Sequence, residues 1–189
     1  MDIFEAIQTR RSIREFLPDK IPKEDVEKIL NMGRYAPTSG NIQPWKFLLL
    51  KKKTKKEKFK EILTKNRLTT YEELNITKKD NEKFKKGIQE ALDKIFKAPL
   101  IILLFVDITT YPKLVMFDGA LAAQNIMLAA HALGYGSSFQ TTFFPEQVVK
   151  DFFTIPDHFK FICALPIGKK VQIPDIPEKK PLETFIWKD

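Results

Sequence analysis

The amino-acid sequence predicts a three-layer α/β sandwich, with a central sheet between two helical layers, and three observations carry that expectation. Segments of helical period alternate with short strand-like apolar runs along a chain of 189 residues. The run Leu100-Ile101-Ile102-Leu103-Leu104-Phe105-Val106 is continuously apolar and rich in β-branched residues, as a strand covered on both faces must be. The stretch Met116 to Leu133 is helical in spacing and apolar nearly all the way round, so other protein has to cover it. Length and a 43% hydrophobic content with 16 Phe suit one domain spanning 1–189.

The elements follow in order. Ile3 to Thr9 places Ile3, Ala6 and Ile7 on one side of a helix. Pro22 followed by Lys23-Glu24-Asp25 opens a second helix with Val26, Ile29, Leu30 and Gly33 inward, and Pro37 ends it. Trp45 to Leu50 is a strand, and Thr54 to Lys65 a helix with Phe59, Ile62 and Leu63 on one face. Arg67 to Lys97 is richer in charge, with sparse apolar positions Tyr71, Leu74, Phe84, Ile88, Leu92 and Ile95, and is expected to be a helical excursion or lid. Pro99 leads into the central strand, and Gly134 gives the long helix its left-handed stop. Pro145 and Glu146 open a short helix through Phe153, and Phe159 to Ile167 is the last core strand. In 169–189, Pro174, Pro177 and Pro181 deny helix and central-strand pairing. Ile173, Ile176, Leu182, Phe185, Ile186 and Trp187 are nevertheless too apolar for solvent, so an extended arm over a partner subunit is expected.

Several function classes are set aside. No apolar stretch reaches the ~18 residues of a membrane span, and the acidic start Met1-Asp2-Ile3-Phe4-Glu5 is unlike a secretory leader, which predicts a cytoplasmic protein. Cys163 stands alone among Phe161, Ile162, Ala164 and Leu165, a buried strand residue with no disulfide to form. His131 and His158 lack companions at ligand spacing, so metal-free chemistry is expected. The net charge of +8 comes largely from lysines between Lys51 and Lys97, a solvated helical face that would also draw in anionic dinucleotides. No groove-entering motif accompanies it, so nucleic acid is not an expected partner.

Two clusters carry chemistry. Arg10-Arg11-Ser12-Ile13-Arg14 offers forked, permanently charged donors and a hydroxyl, the donor set a phosphate needs. Its bland alternative is a helix end whose arginines complement the macrodipole. Ala36-Pro37-Thr38-Ser39-Gly40-Asn41-Ile42-Gln43-Pro44-Trp45 gathers neutral amides and hydroxyls suited to the polar edge of a heterocycle, although Pro, Ser, Gly and Asn also make ordinary turns. Gly134-Tyr135-Gly136 is not a dinucleotide fingerprint, because Phe139 holds the third glycine position and a helix precedes it.

Together with Asp118-Gly119-Ala120-Leu121-Ala122-Ala123-Gln124-Asn125-Ile126, Ala132-Leu133-Gly134-Tyr135-Gly136-Ser137, Leu165-Pro166-Ile167-Gly168 and Lys179-Lys180-Pro181-Leu182-Glu183, the two clusters make the sequence resemble the nitroreductase family. The resemblance implies a mixed central sheet flanked by helices in an intertwined homodimer, with FMN in the dimer interface. It implies that Arg10, Ser12 and Arg14, joined by Arg11, hold the phosphate and ribityl chain, and that Pro37, Thr38, Ser39, Asn41 and Gln43 lie against the flavin. Lys179 and Lys180 match a place where relatives carry a phosphate-reaching Arg, with a solvated tail as the alternative. Phe139, Phe143 and Phe144 stand where a Gly-bearing pattern is common, and are the expected cover of the substrate pocket. The implied activity is hydride transfer from NADH or NADPH through FMN to a small flat acceptor such as a nitroaromatic or quinone, in ping-pong order and with no catalytic side chain. A reductive dehalogenase, a benzimidazole-forming synthase and a non-catalytic flavin or nucleotide sensor are the alternatives.

Overall fold

Four strands form one sheet in the order β1-β2-β4-β3, with β1 at Trp45–Leu50, β2 at Leu100–Asp107, β3 at Gly136–Ser137 and β4 at Phe159–Gly168. The structure is a computed structural model that describes residues 1–73 and 81–187. All pairings between these strands are antiparallel, so among the described residues the sheet is not the mixed one expected; an isolated bridge from Ser12 to Ser137, outside the strands, is parallel.

β2 organises both layers. Its residues from Leu100 to Val106 are all buried, and period-two alternation divides them between two cores. Leu100, Ile102, Leu104 and Val106 pack with Val26 and Ile29 of α2 (Lys23–Arg34) and Ala122, Ala123 and Ile126 of α5 (Val115–Ala132). Ile101, Leu103 and Phe105 pack with Phe59 and Leu63 of α3 (Lys53–Glu73), Ile88, Leu92 and Ile95 of α4 (Asn81–Phe96), and Val149 of α6 (Glu146–Phe153). The remaining helix, α1 (Ile3–Thr9), rests on α5.

A register shift fits the first core to its helix. Leu104 pairs with Cys163 but Phe105 with Phe161, so Ile162 is an extra residue in β4. The bulge turns both Ile162 and Cys163 toward α5. Gly119 of α5 accommodates this, since a Cβ there would stand 2.7 Å from Ile162 Cγ1 and 2.9 Å from Val106 Cγ1. Gly134, at φ +87°, stops α5 as its sequence predicts.

Three elements differ from expectation in instructive ways. α3 runs to Glu73, and its Ile62 is 43% exposed because Phe59 and Leu63, at the neighbouring helical angles, already fill the inward stripe. α4 is a structural layer: Ile88, Leu92 and Ile95 cover the sheet, while Leu74 and the side chain of Tyr71 lie outside the described residues. In α1 only Ala6 is buried, and Ile3, Phe4 and Ile7 face outward. Among the described residues no helix is long and apolar enough to cross a membrane.

Two consequences are measurable. Gly119→Ala should cost about 1 to 3 kcal/mol of unfolding free energy by overpacking, and Ile162→Ala in the same chain should recover part of that loss in urea titrations. The Tyr135 hydroxyl donates to Asp25 Oδ2 at 2.7 Å, and burial followed by that carboxylate pushes its pKa up to about 12 from 10.0. A raised tyrosine pKa makes its contribution complete below pH 10 and lost as pH rises toward 12. Tyr135→Phe should therefore flatten the alkaline limb of a stability-versus-pH curve.

Candidate functional site

The Arg10 to Arg14 segment leaves the end of α1 and is pinned to the far edge of the sheet. Arg10 N–H closes the helix on Ala6 O at 3.1 Å, and Ile13 N–H donates to Ser137 O at 2.9 Å. Ile13 is buried against Gly136, which fixes the residues on either side of it. His131 of α5 secures the approach. Thr9 Oγ1 donates its single proton to Glu5 O at 2.6 Å, so the 2.9 Å contact with His131 Nε2 must be a donation from the imidazole. Burial first, then Lys170, Arg10 and Arg11, depress the His131 pKa and keep the ring neutral.

This corner has donors without acceptors. Arg11 Nη1 donates to Gln8 O at 2.8 Å and Arg10 O at 2.7 Å, the contacts of a helix-end arginine. Its Nε and Nη2, and Ser137 Oγ, are buried with no hydrogen-bond partner. A buried orphan donor costs about 1 to 3 kcal/mol, more when charged. Among the described residues no carboxylate forms an ion pair with Arg10, Arg11 or Arg14, and burial together with Arg11 lowers the Arg10 pKa. The Arg10 and Arg11 guanidinium groups and the unmet donors of Arg11 and Ser137 are of the type that could receive an anion such as a phosphate.

The second cluster is a strained polar turn. A 3₁₀ turn spans Ser39–Asn41, and Gly40, Asn41 and Gln43 take φ of 59°, 56° and 49°. Left-handed backbone suits Gly and is tolerated by Asn, but for Gln it is a cost seen where function fixes the chain. Ser39 N–H donates to the buried Asp118 Oδ2 at 3.2 Å, Gln43 N–H to Thr38 Oγ1 at 3.3 Å, and Gln43 Nε2 to Asn41 Oδ1 at 3.3 Å. Pro37, Asn41 and Gln43 stay exposed, so their polar groups are presented outward. Asp118 is the site residue that the sequence failed to single out by role. Its one clue was a lone acid in the first turn of an apolar helix.

One chain does not bring the clusters together. Ser12 bridges Ser137, which pairs with Ile167, which pairs with Leu100, at one end of the sheet. The loop carrying Thr38 to Gln43 feeds β1, where Trp45 pairs with Val106, and Asp107 N–H donates to Pro44 O. Leu100 and Val106 are six residues apart on β2, about 20 Å at ~3.3 Å per residue. The clusters therefore sit at opposite ends of the sheet and on opposite edges.

The remaining candidates divide. Phe144 is 1% exposed and stacks on Phe96 at 6.0 Å, so it belongs to the core and does not cover a pocket. Phe143 is partly buried and packs against the same core cluster. Phe139 alone is open, at 42%. Lys179 and Lys180 lie exposed in the tail, away from any described partner in this single chain.

Comparison with known proteins bears on this arrangement. Residues 7–169 match the model of the Nitroreductase family. The chain belongs to the nitroreductase family. Its match runs from α1 through β4 and so contains both polar clusters. Human iodotyrosine deiodinase 1 is 26% identical over 204 residues, covering 98% of this chain and 68% of that protein. A BluB-like flavoprotein from Clostridium difficile 630 has the same fold at TM-score 0.81 and 21% identity, with 100% and 99% of the two chains covered. So does the FMN-dependent nitroreductase NfnB from Mycobacterium smegmatis, solved in complex with NADPH, at TM-score 0.76, 20% identity and 98% and 97% coverage. Family membership sets the coarse class, a flavoprotein oxidoreductase.

The Ser39 to Asp118 bond can be tested directly. Asp118→Ala should leave the core intact and speed amide exchange at Ser39 in hydrogen-exchange measurements. Unchanged exchange would show that the turn holds its shape without the carboxylate.

Proposed function

We propose that this protein is an FMN-dependent oxidoreductase that takes a hydride from NADH or NADPH and reduces a small flat electrophile such as a nitroaromatic or quinone. The observation that carries the reading is the set of buried, unpartnered donors on Arg11 and Ser137 beside the half-buried Arg10. FMN, when bound, supplies the hydride chemistry itself. The protein's part is to bind and orient. Arg10, Arg11, Ser12 and Arg14 would take the phosphate and ribityl chain through forked, charge-assisted hydrogen bonds. Asn41 and Gln43 carry both donors and acceptors, so they can serve the polar edge of the ring in either redox state.

Because about 20 Å separates the clusters within one chain, we place the flavin between two subunits. One subunit offers the arginine corner and the other the Thr38 to Gln43 turn. Surface exposure supports this arrangement. Phe4 is 73% exposed, Phe117 67% and Trp187 96%, and Ile3, Ile7, Ile173, Ile176, Leu182 and Phe185 are exposed with them. Apolar area of this extent marks an interface. The arm from 171 to 189 would wrap the partner and carry Lys179 and Lys180 toward its phosphate. Phe139 is the remaining candidate for acceptor contact.

Arg10→Ala and Arg14→Ala should each weaken FMN binding by about 10-fold to 150-fold, the equivalent of roughly 1.5 to 3 kcal/mol for a charge-assisted bond. Flavin titration of the apo variants measures it. Shared sites give a sharper outcome. Co-refolding an Arg10→Ala/Arg14→Ala chain with an Asn41→Ala/Gln43→Ala chain should restore one full-affinity site per heterodimer, since one interface then carries neither lesion. No restored site would mean that each chain builds its own.

With one flavin face serving donor and acceptor in turn, double-reciprocal plots should be parallel. Intersecting lines would refute that order while leaving the flavin assignment standing.

A further inference from the structure

A second anion-attracting feature lies outside both polar clusters. A cleft of about 750 Å³ opens where β1 ends and β2 begins, on the α3 and α4 side of the sheet, with Pro18, Phe96 and Pro99 as its apolar wall. Its volume is within the ~300 to 1,000 Å³ range of small-molecule sites. Six lysines line it, Lys20, Lys51, Lys53, Lys56, Lys60 and Lys97, against two acids, Glu57 and Asp93. That leaves an excess of four positive charges in one concavity.

The internal pairings do not remove the excess. Lys60 is bound to Asp93 at 2.5 Å, and Lys53 stands 3.9 Å from Glu57. Lys56 is fixed in place by donating to Phe96 O at 3.0 Å and Ala98 O at 2.6 Å, which leaves the third ammonium proton for another acceptor. Its pKa is lowered by burial, with Glu57 opposing the shift. Lys20, Lys51 and Lys97 are exposed and form no ion pair among the described residues. The first turn of α3 also lacks any acid, although the helix dipole favours acids there. Mutually repelling cations around a concave apolar wall have one simple complement, a compact polyanion with an apolar portion.

We propose that this cleft binds a nucleoside triphosphate, the oligophosphate held by Lys20, Lys51, Lys56 and Lys97 and the nucleoside against the Pro18, Phe96 and Pro99 wall. The site shares no residue with the flavin-binding clusters and stands independently of them.

Isothermal titration of the purified full-length protein with ATP, and separately with inorganic tripolyphosphate, tests it. Both should bind saturably, ATP more tightly, and both should weaken as salt screens the lysines. Lys51→Glu/Lys97→Glu should weaken both by at least about 10-fold, roughly 1.4 kcal/mol, while flavin content and thermal midpoint stay at wild-type values. These are surface substitutions, and an unchanged midpoint shows that the variant folds. Absence of saturable ATP binding up to about 1 mM, unchanged affinity in the double variant, or equal affinity for ATP and tripolyphosphate would overturn the assignment. Binding of a homopolymeric RNA that ATP does not displace would overturn it too, by making the cleft part of a macromolecular polyanion surface.

Discussion

Burial of β2 on both faces is the constraint from which the rest of the structure follows. Seven consecutive apolar residues on an interior strand expose two hydrophobic surfaces, and each needs its own layer. α2 and α5 supply one, and α3, α4 and α6 the other. Fine adjustment then happens at the layer boundary. The Ile162 bulge and the missing Cβ at Gly119 let α5 approach the sheet closely without a void. With both faces closed, polar groups are confined to the ends and edges of the sheet, which is where the two polar clusters lie.

Those clusters are built on opposed physical principles. The Arg10 to Arg14 corner concentrates charge and leaves buried donors on Arg11 and Ser137 unmet. The Thr38 to Gln43 turn is neutral and holds left-handed backbone at three positions, with Asp118 anchoring it from α5. One corner is electropositive, and the other is a neutral turn of fixed shape. Their separation along β2 makes sense of the outward apolar residues on α1, α5 and the tail, which a lone chain has no means of covering.

How much of this was legible in the sequence depends on the range of the interaction concerned. α2, β1, β2, α6, β4 and the Gly134 stop follow from local periodicity, prolines and glycine, and the structure places them within a residue or two of the expected bounds. The extent of α3 was hidden, because its lysine-rich surface has little amphipathic contrast beyond Phe59 and Leu63. α4 has the opposite pattern, a charged face against an apolar stripe of Ile88, Leu92, Ile95 and Phe96, but a stripe alone does not say which sheet face it covers. Four inward residues of α4, Ile88, Leu92, Ile95 and Phe96, are enough to cover the sheet when Phe59, Leu63 and Phe144 complete the surface. Position in the chain points Phe143 and Phe144 toward a pocket, whereas packing against Phe59 and Phe96 buries Phe144 in the core and Phe143 packs partly against the same cluster.

The sequence alone determined the layer architecture, the family and the two donor sets, since residue type and spacing are local properties of the chain. Tertiary structure decided where those sets stand. Strand register put Ser12 beside Ser137 and Thr38 to Gln43 beyond Val106, and a separation of that kind is a sum of pairings that no local pattern encodes. It also decided that Asp118 is a loop anchor, that lysines distant in sequence line one cleft, and that Arg11 keeps two buried donors unsatisfied. Each of these depends on what a folded chain places opposite a side chain, and burial makes the absence of a partner as consequential as its presence.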